Sequence, residues 1–393
     1  MNNRILNNDI QEFISENLNS KISGLLLKGL PFEAIDPKEI IEQIEAKKRC
    51  KAKLSTWYNT KCIYYPNKLN IEQTSSEITA SYKANLVSGN SLVDVTGGFG
   101  VDAYYFSKKV ASVIHCEVDK HLSQIVSYNY RILDVTNIEC LNDNGIDVLK
   151  QKNKAFEWIY VDPSRRDDKK NKVFLLSDAT PNIKTFQGLF LKYAEHVMIK
   201  TSPLLDIKAT LKDLSFVKEL HVVAVNNEVK ELLWLLERDF QDDVRVKTIN
   251  LSNEKQQLFE FKYKDESEAS IEYNTPLTYL YEPNSAILKS GAFNAVGFAF
   301  NAFKLHKHSH LYTSEELIDF PGRRFKIEKS IPFNKKAFSK EGIKKANVTT
   351  RNFPIPVSKI RKDLKIKDGG SIYLFFTTIW HTNQKVIIIC SKA

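Results

Sequence analysis

The sequence predicts an α/β protein in three parts: a helical N-terminal extension over 1–68, an open parallel sheet covered on both faces by helices over 69–264, and a basic α+β domain over 275–393. Three observations predict it. From Ser91 onward, short apolar runs suited to buried strands alternate with helical stretches, the order that builds a parallel sheet. The 393 residues exceed what one hydrophobic core usually serves. The charge is also divided: Tyr281 to Ala393 hold 20 Lys and Arg against 8 Asp and Glu, a net of +12, whereas the first 280 residues hold 37 against 39, a net of −2. Such a division fits one part that does chemistry and another that holds a polyanion, with a solubilising surface charge as the plainer account.

Composition excludes several classes. With 42% hydrophobic and 26% charged residues, and only 14 Gly and 12 Pro, the chain is neither disordered nor of low complexity. Cys50, Cys62, Cys116, Cys140 and Cys390 are scattered and odd in number and form no CxxC pair, against both a disulfide framework and a zinc ribbon. Met1 to Phe13 lacks the apolar stretch of a secretion signal, and no apolar run approaches the ~20 residues of a membrane span, so a soluble cytoplasmic protein is expected.

In the N-terminal extension, Asp36-Pro37-Lys38-Glu39 is a helix start, with Asp as N-cap and Pro at the first helical position. That helix runs into Lys47, Lys48, Arg49, Lys51 and Lys53, with Trp57, Tyr58, Tyr64 and Tyr65 following. Basic side chains beside aromatics suit a nucleic-acid surface; a solvated helix face closed at its end by aromatics is the alternative. Next come strands at Leu92–Val95, Val113–Cys116, Ile138–Leu141, Trp158–Val161, Val197–Ile199 and His221–Val225, then a helix over Lys230–Arg238. Two more strands, Val244–Ile249 and Leu258–Tyr263, are expected to add an antiparallel pair. The acidic stretch Lys264 to Asn274 is read as a linker.

The chemistry concentrates at strand ends. Leu92-Val93-Asp94-Val95-Thr96-Gly97-Gly98-Phe99-Gly100 is a strand ending in an acid, followed by closely spaced glycines and a helix, a tight turn where a ligand approaches bare backbone. Glu117 ends the next strand 23 residues after Asp94, close to the ~20 expected of a ribose-binding carboxylate. Asn142-Asp143-Asn144 follow the third strand and suit an adenine edge, and Asp162-Pro163-Ser164-Arg165-Arg166 follow the fourth. All four stations fall where open α/β sheets bind ligands. A carboxylate at Asp94 would oppose a pyrophosphate but favour the ammonium of a methionine moiety, so the expected cofactor is S-adenosylmethionine.

These motifs carry a resemblance. Residues 69–240 resemble class I methyltransferases with a Rossmann-like sheet, more distantly the cap-guanine N2 methyltransferases. The whole chain, including Ile71-Glu72-Gln73-Thr74-Ser75-Ser76-Glu77, resembles bacterial members with a THUMP-like, ferredoxin-like C-terminal domain. The resemblance implies that Asp94, Thr96, Gly97, Gly98 and Gly100 line the methionine end of the cofactor, that Glu117 takes the ribose hydroxyls, and that Asn142 and Asp143 lie near the adenine. It also implies that Asp162 and Pro163 hold the acceptor. Amino-directed relatives commonly have two prolines and an aromatic after that acid; here Ser164, Arg165 and Arg166 follow, and an Arg guanidinium stacks on a base or grips a phosphate. The competing account of Arg165 is a salt bridge with Asp167 or Asp168.

Lys200-Thr201-Ser202-Pro203, after the fifth strand, is placed at the border of the substrate mouth. His306, His308 and His310 would share one face of a strand, but with no fourth ligand nearby no metal is assigned. Arg323 and Arg324, in a basic turn beside Phe325, are candidate RNA contacts, and dispersed lysines from Lys344 to Lys367 extend the charge. The expected function is methylation of a base nitrogen in tRNA or rRNA, with no obligatory protein partner. A methyltransferase acting on a protein or small molecule, and a non-catalytic RNA-binding protein that retains the cofactor fold, are the alternatives.

Overall fold

The computed structural model describes residues 1–32, 35–164, 176–252 and 255–393. The chain divides into two compact units, Met1–Val217 with Leu233–Gln241, and Lys218–Leu232 with Asp242–Ala393.

The first unit opens with six helices: α1 (Asn8–Glu16), α2 (Ile22–Lys28), α3 (Pro37–Lys53), α4 (Ser55–Asn59), α5 (Lys68–Gln73) and α6 (Glu77–Ala84). Helix α3 begins as expected, with Pro37 in its first turn and the Asp36 carboxylate accepting the Lys38 N–H at 2.9 Å. It buries Ile40, Ile41, Ile44 and Cys50 along one face. Of the aromatics after it, Trp57, Tyr64 and Tyr65 are buried and so are not faces on which bases could stack, whereas Tyr58 is half-buried. The Trp57 ring lies 4.9 Å from that of Tyr104, and the Tyr65 hydroxyl donates to the Trp57 carbonyl. Burying three large rings is worth several kcal/mol, more than their exposure to a polyanion offers, so the core takes them.

Five parallel strands follow: β1 (Gly89–Asp94), β2 (Val110–Cys116), β3 (Ile138–Leu141), β4 (Phe156–Val161) and β5 (Ala194–Thr201). Between them run α7 (Val101–Phe106), α8 (Lys120–Ile132), α9 (Gly145–Lys152) and α10 (Ile183–Tyr193), and after β5 comes α11 (Ile207–Asp213). Strand β4 is buried from Trp158 to Val161 without alternation, as a central strand covered on both faces requires. Helix α8 buries Leu122, Ile125, Val126, Asn129 and Tyr130, a single helical face. The Asn129 amide pairs with both backbone groups of Tyr64 at 2.8 and 2.9 Å and pins the N-terminal helices to the sheet layer.

Strands β6 (Val217–Val225), β7 (Glu228–Glu237), β8 (Arg245–Leu251) and β9 (Gln257–Lys262) complete a nine-stranded sheet of order β3-β2-β1-β4-β5-β7-β6-β8-β9. The helix expected over Lys230–Arg238 is therefore strand β7. Leu232, Leu233, Trp234, Leu235 and Leu236 are all buried, and a run buried on every side has no period by which to tell helix from strand. The deciding signal is the turn: Asn226 and Asn227 both have positive φ, 50° and 63°, the two-residue hairpin geometry that Asn favours. The expected β8–β9 antiparallel pair is present, with β8 parallel to β6.

In the second unit, β10 (Tyr279–Pro283), β11 (Phe303–Lys304), β12 (Tyr312–Ser314), β13 (Gly322–Pro332), β14 (Lys345–Thr350), β15 (Lys367–Thr378) and β16 (Lys385–Lys392) form a sheet of order β11-β12-β10-β13-β16-β15-β14. Its helices are α12 (Asp265–Glu268), α13 (Ser285–Ser290), α14 (Ala295–Ala299), α15 (Lys335–Lys340) and α16 (Val357–Leu364). Alternation splits the sheet into two cores, with Phe375, Ile388 and Cys390 on one face and Leu374, Phe376, Ile387 and Ile389 on the other. Phe338 of α15 and Ile360 of α16 complete the second. The stretch read as a linker is partly helical, and the Glu266 carboxylate caps α14 through the N–H groups of Asn294 and Ala295. His306, His308 and His310 lie in the turn after β11 and share no strand face; the His310 ring stacks on Phe293 at 3.7 Å. Among the described residues no group of three or more His, Cys, Asp or Glu is placed to hold a metal ion, and no helix is long and apolar enough to cross a membrane.

Candidate active site

A cavity of about 530 Å³ opens at the carboxyl ends of β1, β2, β4 and β5, lined among others by Thr96, Gly97, Gly98, Asp102, Glu117, Asp162, Pro163, Ser164 and Lys200. Its floor is the loop after β1. Asp94 lies beneath that loop, almost fully buried, and is not part of the cavity wall. Its Oδ1 accepts the N–H of Thr96 at 3.0 Å, the N–H of Gly97 at 2.9 Å and the Thr96 hydroxyl at 3.1 Å. Burial, with Asp102 nearby, outweighs those bonds and pushes the carboxyl up to about 8.

An Asp whose ordinary value is 3.8 and whose folded value is about 8 stays protonated in the fold while the unfolded chain ionises, so its stabilising contribution is complete below about pH 4 and is lost as pH rises through 8. Asp94→Asn, neutral at every pH, is expected to gain stability over the wild type on the order of a few kcal/mol by pH 8 and little at pH 4. Denaturant unfolding of both proteins across that range checks it; parallel pH profiles would contradict it.

The glycines have different duties. At Gly97, φ 47°, a Cβ would stand 2.3 Å from the Cys116 carbonyl oxygen, whereas at Gly98, φ 67°, nothing lies within 4 Å. Gly100, φ 75°, packs under the Tyr130 hydroxyl. Gly97→Ala is expected to cost about 2–4 kcal/mol, from backbone collision and left-handed strain together, and Gly98→Ala about 1–2, from strain alone. Thermal unfolding of the two variants measures the difference.

Glu117 closes the next wall. Its Oε2 accepts the Gly98 N–H at 2.8 Å and its Oε1 the Asp119 N–H at 2.7 Å, while burial raises its carboxyl above the ordinary value. Asn142 and Asp143 lie outside the cavity wall. The Asn142 amide donates to the carbonyls of Glu117 and Val118, and the Asp143 carboxylate accepts the Asn144 N–H.

Opposite Glu117, the Asp162 N–H donates to the Thr96 hydroxyl at 2.7 Å, and its carboxylate is ion-paired and hydrogen-bonded to Lys200 Nζ. Thr96 therefore joins the loops after β1 and β4 by one hydroxyl. Ser164 exchanges two backbone hydrogen bonds with Thr180. Arg165 and Arg166 lie outside the described residues. Arg323 and Arg324 belong to the second unit and are engaged there: Arg323 pairs with the buried Glu282, which Arg351 also contacts, and Arg324 donates to Asp319 at 2.8 Å.

Sequence reasoning missed a buried polar cluster in the wall. Asp102 Oδ2 accepts the Ser75 and Tyr160 hydroxyls, each at 2.8 Å, and Oδ1 lies 3.2 Å from the fully buried Lys83 Nζ. Although burial works against it, the ammonium groups of Lys83 and Lys200 hold the Asp102 carboxyl below the ordinary value. The sequence signal for it was a lysine amid small residues on α6 and an acid one turn past the glycines, neither distinctive alone. Lys53, expected at a nucleic-acid surface, donates from Nζ to the carbonyls of Ile71 and Glu72 and so holds the segment 69–75 that forms the rim. Burial, with Lys200 nearby, lowers its pKa to about 8.

A family profile described as a ferredoxin-like domain matches residues 279–321, and one described as THUMP domain-like matches residues 322–392. A crystal structure of a provisionally assigned methyltransferase from Porphyromonas gingivalis W83 is 32% identical, superposes with a TM-score of 0.89, and matches over 99% of this chain and 98% of its own. An rRNA methylase from Streptococcus thermophilus is similar at 15% identity and TM-score 0.31, over 42% of this chain and 95% of its own. A provisionally assigned Streptococcus mutans methyltransferase, in complex with S-adenosylhomocysteine, is similar at 13% identity and TM-score 0.32, over 41% of this chain and 96% of its own. Both are too distant to speak to this chain's substrate. Among curated proteins none matches. The near full-length match places the chain: it belongs to the bacterial methyltransferase family, represented by the Porphyromonas gingivalis protein, that carries a THUMP-like C-terminal domain.

Proposed function

We propose that the chain is an S-adenosylmethionine-dependent methyltransferase that acts in the cytoplasm on a base nitrogen of tRNA or rRNA. The observation that carries this reading is the convergence of the glycine loop, Glu117 and the Asp162–Lys200 pair on one cavity at the carboxyl ends of parallel strands. The residues fit that cofactor. Gly98 leaves bare backbone open to a ligand, and the Glu117 oxygens, each using one lone pair, retain capacity for two ribose hydroxyls. Asp119 and Leu122, which line the wall beyond Glu117, are better placed for the adenine than Asn142 and Asp143.

When bound, the cofactor supplies a methyl group on a positively charged sulfur. Asp162 would accept an N–H of the acceptor and so orient the nitrogen lone pair into the cavity, toward the methyl group that the cofactor would supply there. The surplus proton then leaves the nitrogen for solvent, and no strong base is required. Pro163, which is buried, fixes the chain direction beyond Asp162, and Lys200 holds the carboxylate in place. Ser164 lines the cavity, and Arg165 and Arg166, next in the sequence, supply the guanidinium groups for stacking on a base or gripping a phosphate.

RNA is favoured by the THUMP-like match and by charge. Lys335, Lys336 and Lys340 of α15, Lys359 and Lys362 of α16, and Lys365 are exposed. They are freer to meet phosphates than Arg323 and Arg324, which already hold ion pairs. Titration of bulk tRNA and rRNA at increasing salt is expected to show affinity falling steeply, with Lys335→Gln/Lys336→Gln/Lys340→Gln reducing the log–log slope by about 2–3. A flat salt dependence would transfer the proposal to a protein or small-molecule acceptor. Cofactor binding that fails altogether would leave a non-catalytic RNA-binding protein.

A further inference from the structure

We propose that Asp102, and not Asp94, is the carboxylate that receives the α-ammonium of the cofactor's methionine moiety. This rests on the cofactor reading above and assigns one contact within it. The cavity and its floor offer several acids. Asp94 is shut beneath the glycine loop. Glu117 faces the loop and is assigned to the ribose, Asp162 pairs with Lys200 and is assigned to the acceptor, and Glu72 pairs with Arg49 and Lys68. Asp119 caps α8 through the N–H groups of His121 and Leu122.

Asp102 differs from all of these. It lines the cavity beside Thr96, Gly97 and Gly98, and its Oδ2 is anchored by the Ser75 and Tyr160 hydroxyls. Its Oδ1 is buried and accepts no hydrogen bond, although Lys83 Nζ stands 3.2 Å away as an ion-pair partner. Asp94 Oδ2 is likewise buried without a hydrogen bond, but Asp94 lies outside the cavity wall; at Asp102 the unmet acceptor belongs to a residue that lines the cavity, and an ammonium is the donor whose charge suits it. The neighbouring acids divide the labour by environment: two lysines favour the ionised form of Asp102, whereas burial keeps Asp94 protonated and unable to compete for a cation. Lys83 holds Asp102 charged in a dry wall, and Ser75 and Tyr160 fix its rotamer, so the site is formed before the ligand arrives.

The test compares two ligands by calorimetry: S-adenosylhomocysteine, and the same molecule without its α-amino group. The wild type is expected to prefer the first by about 10- to 100-fold, the worth of a charge-assisted hydrogen bond. Asp102→Asn should bring the ratio near one while still binding the deamino compound, and Asp94→Asn should keep the wild-type ratio. Ser75→Ala, which leaves the carboxylate but loosens it, should lower the ratio partway and serves if Asp102→Asn does not fold. An unchanged ratio in the Asp102 or Ser75 variant, a ratio lost in Asp94→Asn, or no preference in the wild type overturns the assignment. A wild type that binds neither compound overturns the cofactor reading itself, and is distinguishable from those results.

Discussion

Asp162→Ala is expected to slow methyl transfer by about 10²–10³-fold while changing the affinity for S-adenosylhomocysteine by no more than a few fold. The reason is positional. Asp162 is held by the Thr96 hydroxyl on its N–H and by Lys200 on its carboxylate, and both constraints serve to place an oxygen at the cavity mouth. On the proposed reading, its removal takes away the group that aims the acceptor and one ion-pair partner of Lys200. The glycine loop and Glu117, which would hold the cofactor, are untouched. Single-turnover transfer with saturating cofactor measures the chemical step, and binding calorimetry measures the rest. A variant that loses binding and turnover in equal proportion would show Asp162 to be a structural member of the cofactor site.

The second large effect is on stability. Lys83→Met is expected to destabilise the protein by about 3–5 kcal/mol, because it leaves Asp102 as a buried carboxylate without its ion-pair partner. The methionine nearly preserves volume, so the loss reports charge and not a cavity. Adding Asp102→Asn should recover much of it, since the pair is then replaced by neutral groups still hydrogen-bonded to Ser75 and Tyr160. Denaturant unfolding of the two single variants and the double variant yields the coupling. Additive losses would mean that Lys83 and Asp102 stabilise the fold independently.

Much of this architecture was legible in the chain because it is written locally. The loop after β1 needs glycines where φ is positive, the Asp36-Pro37 helix start is a matter of adjacent residues, and the order of strand ends places Asp94, Glu117 and Asp162 on one side of a sheet. What sequence reasoning misread depends on contacts between distant residues. The run Leu232–Leu236 is apolar in every direction, so only the Asn226-Asn227 turn betrays a strand. Trp57 and Tyr65 beside a lysine-rich helix have the composition of a polyanion surface, yet Tyr104 and Gln43 are waiting to bury them. The Lys83–Asp102–Ser75–Tyr160 cluster joins α6, α7, β4 and the turn between α5 and α6, and has no local spacing to detect.

The same distinction explains Asp94. The sequence places an acid before the glycines, and in the structure that acid accepts three hydrogen bonds from the loop itself. Asp102, eight residues on, is one of the acids that line the cavity.

The central claim is tested most directly by incubating the purified full chain with S-adenosylmethionine labelled in its methyl group and bulk tRNA and rRNA from a strain lacking the protein. The account predicts label in one RNA class, resistant to protease, sensitive to nuclease and lost with Asp162→Ala. Label that enters protein, or no label in RNA from a chain that binds S-adenosylhomocysteine tightly, would contradict it.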